Sequence, residues 1–262
     1  MTEKDYNAAP GIRRSALWRL TKSPLHFKYY LEHPPEPTPA MIFGTAVHTA
    51  ILTPEMLPKM FELINLDMRT KEGKAAKQAA LDAGKTILTG DMAEAMDGIV
   101  QAVRANEYAA RLLNGPHETP YFWTDELTGE TCKCRTDAET DVDGQHIIID
   151  LKTCNDASTD AFMRDALRMG YHVQAAMYKD GVKAVTGKDS LFVFIAVEKE
   201  PPYAINILQC DDAFITHGMD EYRYLLGLYH ECKTADRWPS YEGLTGSINA
   251  LELPAWLKKG VE

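Results

Sequence analysis

The sequence predicts an α/β fold: a mixed central β-sheet flanked by helices, preceded by an N-terminal helical segment. Three observations carry that expectation. Residues 12–113 mostly show apolar side chains at helical spacing, whereas from His117 short strand-like runs alternate with turn signals. Two of those runs, Ile147-Ile148-Ile149 and Ser190 to Val197, are almost wholly apolar, as strands covered on both faces are. Helical stretches lie between and after them, which a layered sheet needs for cover. No internal repeat or low-complexity tract interrupts the 262 residues, so the chain reads as one domain. Its expected parts are a flexible tail over 1–10, a mainly helical part over 12–113, a core of sheet and helices over 117–234, and a tail over 235–262 packing on the body.

In chain order, Ile12 to Lys22 reads as a short amphipathic helix. Ser23 then caps, and Pro24 opens, a second helix over about 24–32 that ends before Pro34-Pro35-Glu36-Pro37. Met41 to Leu52 is a strongly apolar helix ended by Thr53-Pro54; Gly44 allows close approach of another element, and His48 is its one titratable group. A strand over Phe61 to Leu66, a surface helix over 70–84 stopped by Gly84, and a longer helix over 92–113 capped by Asp91 follow. Strands Glu118 to Trp123 and Thr131 to Thr136 flank a turn at Thr128-Gly129. Asp143-Gly144 then folds the Asp137 strand back beside the Asp150 strand. A helix starting after Asp156-Ala157-Ser158 and a second over 171–185 are separated by Gly170. Strands Ser190 to Val197 and Tyr203 to Leu208, a long tyrosine-bearing helix over 211–234 and a tail with Trp238, Pro239, Pro254 and Trp256 complete the chain.

Composition bounds the function. No apolar run approaches the roughly 18 residues of a membrane-spanning helix, and Met1-Thr2-Glu3-Lys4-Asp5 lacks the form of a secretory signal. The expected location is cytoplasmic, with no membrane partner. Cys132 and Cys134 share one strand face, opposite Lys133, Arg135 and Asp137, and a zinc site would want a second close pair. All five cysteines are therefore expected as reduced thiols, the odd number itself arguing against a disulfide framework. A net charge of -10 leaves room for a nucleic-acid partner only as a local basic track on an acidic body.

The chemistry concentrates between Arg135 and Lys152. Strand alternation puts Asp150 and Lys152 on one side and Ile149 and Leu151 on the other, and the hairpin brings Asp137 alongside. Two carboxylates this close repel each other unless one is protonated or a cation lies between them. A hard divalent cation such as Mg2+ takes one or two carboxylates plus water and phosphate oxygens, and a neighbouring lysine can orient a nucleophile or offset phosphate charge. The alternative is a surface Asp/Lys pair at a strand end. His48 on an apolar helix reads as a hydrogen-bonded core residue unless a metal site lies nearby. Arg13, Arg14, Arg19 and Lys22 with Ser15 and Ser23 would suit a phosphate, as would Lys71, Lys74 and Lys77; solvated basic faces explain both sets equally well. Gln174 and Tyr178 share a helical face.

Asp137, the hairpin, Asp150-Leu151-Lys152 and Gln174 with Tyr178 together resemble the PD-(D/E)xK nuclease superfamily. Gly44-Thr45-Ala46-Val47-His48 is similar to its RecB-like branch. The runs Gly44 to Leu52, Cys132 to Asp137, Tyr171 to Gln174 and Trp238-Pro239 resemble the RecE-type recombination exonucleases of the exonuclease VIII family, with lambda exonuclease a more distant relative. The resemblance implies a restriction-endonuclease-like core. It also implies His48, Asp137, Asp150 and the Leu151 carbonyl as metal ligands, Lys152 orienting or activating the attacking water, and Gln174 and Tyr178 positioning lysine or phosphate. Arg13, Arg14, Ser15, Lys22 and Ser23 would hold a 5′-terminal phosphate, and Lys71 and Lys74 the DNA backbone. Thr136 stands where the family has proline, and Asp150 replaces the commoner glutamate. The implied activity is Mg2+- or Mn2+-dependent 5′ to 3′ digestion of linear duplex DNA ends, with two ions, release of mononucleotides and a 3′ single strand left for recombination. A ring-shaped homo-oligomer (trimer or tetramer), a single-strand annealing partner and a bacterial or prophage setting belong to the same resemblance. The competing readings are an endonuclease of the same fold, a non-catalytic DNA-end-binding module and a hydrolase of small phosphoesters.

Overall fold

The computed structural model describes residues 1, 3–67, 69–244, 246 and 248–253 of the chain. Helix α1 (Glu3–Ala8) occupies the segment expected as a flexible tail. Its Tyr6 is buried, packs on Phe122 at 5.9 Å, and the Lys133 ammonium caps its end, donating to the carbonyls of Tyr6 (2.8 Å), Asn7 (3.3 Å) and Ala9 (2.6 Å). That cap comes from far along the sequence, which is why the segment alone looks unstructured. Helix α2 (Arg14–Leu17) runs into a 3-10 turn, Trp18–Thr21. Helix α3 (Pro24–Glu32) starts as expected, with the Ser23 hydroxyl accepting the His26 N–H at 3.3 Å and proline in the first turn. Helix α4 (Pro39–Leu52) is capped by Thr38.

A short helix α5 (Leu57–Met60) leads into β1 (Phe61–Ile64), which pairs in parallel with β2 (Thr86–Thr89) across helix α6 (Lys71–Asp82). These two strands form a sheet of their own. Beyond β2 the expected single helix over 92–113 is two. Helix α7 (Gly90–Ala105) is capped by Thr89 and not by Asp91, and α8 (Glu107–Leu112) restarts at Asn106. Asn106 is extended (φ -83, ψ 109) and its side chain accepts the Ala109 N–H at 3.0 Å, a local bond that competes with helix continuation.

The main sheet contains β3 (His117–Thr124), β4 (Thr131–Val142), β5 (Gln145–Cys154), β6 (Ser190–Glu198) and β7 (Ile205–Gln209) in that spatial order. β5 and β6 are parallel and the other neighbours antiparallel, so the sheet is mixed. Asp143 and Gly144 both take positive φ (51° and 81°), which closes the β4–β5 hairpin as the Asp-Gly pair predicts. Helices α9 (Thr159–Met169) and α10 (Tyr171–Thr186) form the β5-to-β6 crossover, and α11 (Asp212–Thr234) follows β7. Gly170 breaks the crossover with φ 71°, and a Cβ there would sit 2.6 Å from Trp18, so both backbone and packing require glycine.

Two apolar layers cover the sheet. Ile148, Phe192 and Phe194 pack with residues of α2, α3, α10 and α11, whereas Ile147, Ile149 and Leu151 pack with α4 and α7. Burying each isoleucine or leucine contributes about 1.5–3 kcal/mol. Trp238 stacks on Phe27 (5.3 Å, 15°), fastening the start of the tail; Pro254 and Trp256 lie outside the described residues. All five cysteines are free thiols, four of them buried. Strict alternation fails on β4: even-numbered Cys132 and Cys134 join the first layer with Ile148, but Ala138 joins the second. The break falls opposite Glu118, which takes a left-handed φ of 53° on β3.

Candidate active site

The site forms where β4 leaves β5. Their pairing stops at Ala138↔Ile149, and the freed Leu151 N–H donates instead to Asp137 Oδ2 at 2.8 Å. Splaying two strands normally orphans ladder groups in a buried sheet. Here a carboxylate replaces the missing partner and is thereby held opposite Asp150. β5 points Asp150 and Lys152 to the face covered by α10, while Ile149 and Leu151 fix the strand in the other layer. His48 reaches Asp137 Oδ2 from α4 at 3.5 Å.

Asp150 is 1% exposed. It pairs with the Lys152 ammonium through Oδ2 and accepts the Gln174 amide through Oδ1. Gln174 is in turn held by Arg14, whose guanidinium donates to Gln174 Oε1 at 2.8 Å and to the Met169 carbonyl at 3.0 Å. The ammonium of Lys152 also lies 4.8 Å over the Tyr171 ring. Burial pushes the Asp150 carboxyl up from its ordinary range, and Lys152 only partly offsets this. Burial works against the Lys152 charge too, but Asp150 and Asp137 together outweigh it and raise the ammonium's pKa. Lys152 is therefore a stable cation, suited to donating hydrogen bonds and offsetting negative charge rather than to accepting a proton.

Glu118, His48 and Asp137 bring one ligand atom each within 4.8 Å of one another. Asp150 stands beside this group and feels the charges of both Asp137 and His48. Its Oδ2 is enclosed and, Lys152 apart, has no hydrogen-bond donor. Carboxylate oxygens with one imidazole, and a further buried carboxylate oxygen met by the Lys152 ammonium, suit a hard or borderline divalent cation.

Comparison with known proteins decides the family. Residues 14–252 match the family model described as a PDDEXK-like domain of unknown function (DUF3799). This chain belongs to that family. The crystal structure of a "Putative exonuclease" from Eubacterium rectale superposes with a TM-score of 0.67 at 15% identity, covering 99% of this chain and 98% of the other, which shows a shared fold. A solved structure of SSO0001 reaches only a TM-score of 0.37 at 13% identity, over 85% of this chain and 81% of that one. No curated protein matches the chain. Nucleases of the PDDEXK type use divalent metal ions, and this PDDEXK-like domain presents the acidic groups for one.

The remaining expected residues of the PDDEXK-like domain are spread more widely. Tyr178 is half-buried on α10 against Phe192, and burial holds its phenol well above the ordinary value, hence neutral. Leu151 meets Asp137 through its N–H. Of the basic N-terminal residues, Arg14 enters the site. Arg13 is exposed and donates to Asn7 at 3.1 Å, and Ser15 is exposed. Ser23 is buried with its hydroxyl engaged by His26, and with Lys22 it lines a separate cavity of about 560 Å³ beside Arg223, Tyr224 and Ser240. Lys71 and Lys74 are exposed on α6, which packs on the small β1–β2 sheet. Sequence reasoning left Glu118 without a role. Counting outward from the Asp125–Glu130 turn, where the Asp125 N–H donates to the Glu130 carbonyl, places Glu118 opposite Asp137, and that count was the available signal. Arg135, which pairs with Glu118 at 2.5 Å, was also missed as part of the site.

Proposed function

We propose that this PDDEXK-like domain is a Mg2+- or Mn2+-dependent exonuclease of the RecE type, digesting the 5′-ended strand of linear duplex DNA to mononucleotides and leaving a 3′ single strand. The observation that carries the reading is the buried Asp150–Lys152 pair facing Asp137, with His48 and Glu118 beside it and Gln174 fixing its far side. In hydrolysis a water oxygen bonds to phosphorus, the P–O3′ bond breaks and the departing oxygen takes a proton. Divalent ions, two in this reading, would polarise the phosphate and lower the pKa of nearby water. His48, Glu118, Asp137 and Asp150 would hold them, and the Leu151 carbonyl is proposed as a further oxygen. Lys152, kept charged by its two carboxylates, orients the attacking water and offsets charge on the phosphate. Gln174 and Arg14 keep Asp150 from turning away, and Tyr178 closes the wall behind them.

The exonuclease reading is supported by the motif resemblance and by the name of the chain-long structural neighbour, and its 5′ to 3′ direction by the motif resemblance alone. The wider reading adds a homotrimeric or homotetrameric ring around the DNA, a single-strand annealing partner and a cytoplasmic bacterial or prophage setting. Among the described residues, no helix is long and apolar enough to cross a membrane.

The test is digestion, with Mg2+, of linear duplex DNA carrying a 5′ phosphate on one strand, beside a closed circle. Loss of the phosphorylated strand alone, abolished by Lys152→Ala, is expected. Cutting of the circle would replace the exonuclease reading with an endonuclease one. Intact DNA in both forms would leave an end-binding module.

A further inference from the structure

A second set of ligand-type side chains lies where α10 crosses α11. The helices meet at Gly218, where a Cβ would stand 2.1 Å from the His172 carbonyl oxygen, so only glycine lets the backbones approach this closely. The neighbouring His217 and, four residues on, Glu221 share one face of α11. Both meet His172 of α10, and the three offer one ligand atom each within 4.8 Å of one another. His172 Nε2 lies 2.6 Å from Glu221 Oε2, and its ring stacks on His217 at 4.9 Å with an 8° tilt.

We propose that His172, His217 and Glu221 form a site for a borderline transition-metal ion, Zn2+ above all. Two imidazoles and one carboxylate are one donor set of three-ligand zinc centres, which keep a fourth position for water. Imidazole selects such ions over Mg2+, so this site and the carboxylate-rich one would sort different metals. The surroundings fit. His172 is 2% exposed, walled edge-on by Trp18 (5.8 Å) and Phe214 (6.0 Å). Its Nδ1 has no partner, so the ring's one polar contact is directed into the cluster. His217 is exposed and Glu221 half-buried, which leaves an entry from solvent. A bound ion would pin α10 two residues before Gln174, so the site is also a clamp on the helix that fixes Asp150. The proposal does not depend on the nuclease reading.

The experiment uses the full chain carrying Asp137→Asn, stripped with a chelator and titrated with Co2+ and then Zn2+. One equivalent of Co2+ with tetrahedral visible absorption is expected, displaced by Zn2+. Zn2+ at a hundredfold excess over Kd should raise Tm by on the order of 5 °C. His217→Ala and Glu221→Ala should each weaken binding by at least about tenfold. His217→Gln, which keeps bulk and polarity, must lose the signal as well. Retained absorption and Tm rise in any of the three overturns the site, as does their absence from the Asp137→Asn parent.

Discussion

At the scale of single residues, the Asp150–Lys152 pair is held by a relay of hydrogen bonds rather than by its own strand. Arg14 holds Gln174, Gln174 holds Asp150 Oδ1, and Oδ2 is left to Lys152. Gln174→Ala removes the donor and frees the carboxylate to rotate in a buried space. It should lower Mn2+ affinity and cleavage rate together, on the order of 10–100-fold, as loss of a ligand's outer partner does. Calorimetric Mn2+ titration beside a cleavage assay checks this; unchanged Mn2+ affinity would reduce Gln174 to a packing residue. The sequence showed Asp137, Asp150 and Lys152 because a hairpin turn and a two-residue period are local signals. Gln174 was visible by its four-residue spacing to Tyr178. Arg14 was expected to hold a 5′-terminal phosphate and not to hold Gln174, since that contact spans 160 positions. Glu118 escaped for a different reason: its left-handed backbone breaks the alternation from which its facing would be read.

Between elements, the β3–β4 turn is tied to the helical layer by charge. Asp125, 3% exposed, pairs with Arg223 of α11, and Arg223 also meets Asp180 of α10 at 3.0 Å. Burial raises the Asp125 carboxyl most of any single influence, but the Thr128 hydroxyl and N–H and the Arg223 guanidinium together outweigh it and hold it below its ordinary value. A carboxylate with a lowered folded pKa stabilises the fold above the unfolded value and loses that contribution as pH falls through the folded one. Asp125→Asn should therefore cost about 2 kcal/mol at pH 7, Asp180 still neutralising Arg223. The two proteins should converge as pH drops below about 4, the ordinary aspartate range. Urea unfolding at both pH values decides it, and an equal gap at each would assign the effect to packing. Elements with local start signals were legible in this way too: Ser23 before Pro24, and Asp-Gly in the hairpin. Helix α1 and strand β2 were not, because one depends on Lys133 and the other on its parallel partner β1.

For the whole molecule, the fold class was legible because apolar runs and turns report layers directly, whereas assembly leaves no such periodic trace. The chain carries a net charge of -10, yet Arg14, Arg135 and Lys152 meet at the site through Gln174, Glu118 and Asp150. A single acidic body with one basic cleft would release duplex DNA readily, and more so as salt rises. Enclosure separates starting from continuing: salt weakens the first encounter but not a ring already threaded. If the proposed trimer or tetramer exists, sedimentation should give three or four times 29.3 kDa. Added salt should then cut the number of DNA ends engaged while leaving the length digested per engagement nearly constant, even with excess trap DNA. A 29.3 kDa species whose digestion stops within a few nucleotides of adding the trap would discard the ring. It would leave Arg14 and its neighbours as the whole of the hold on DNA.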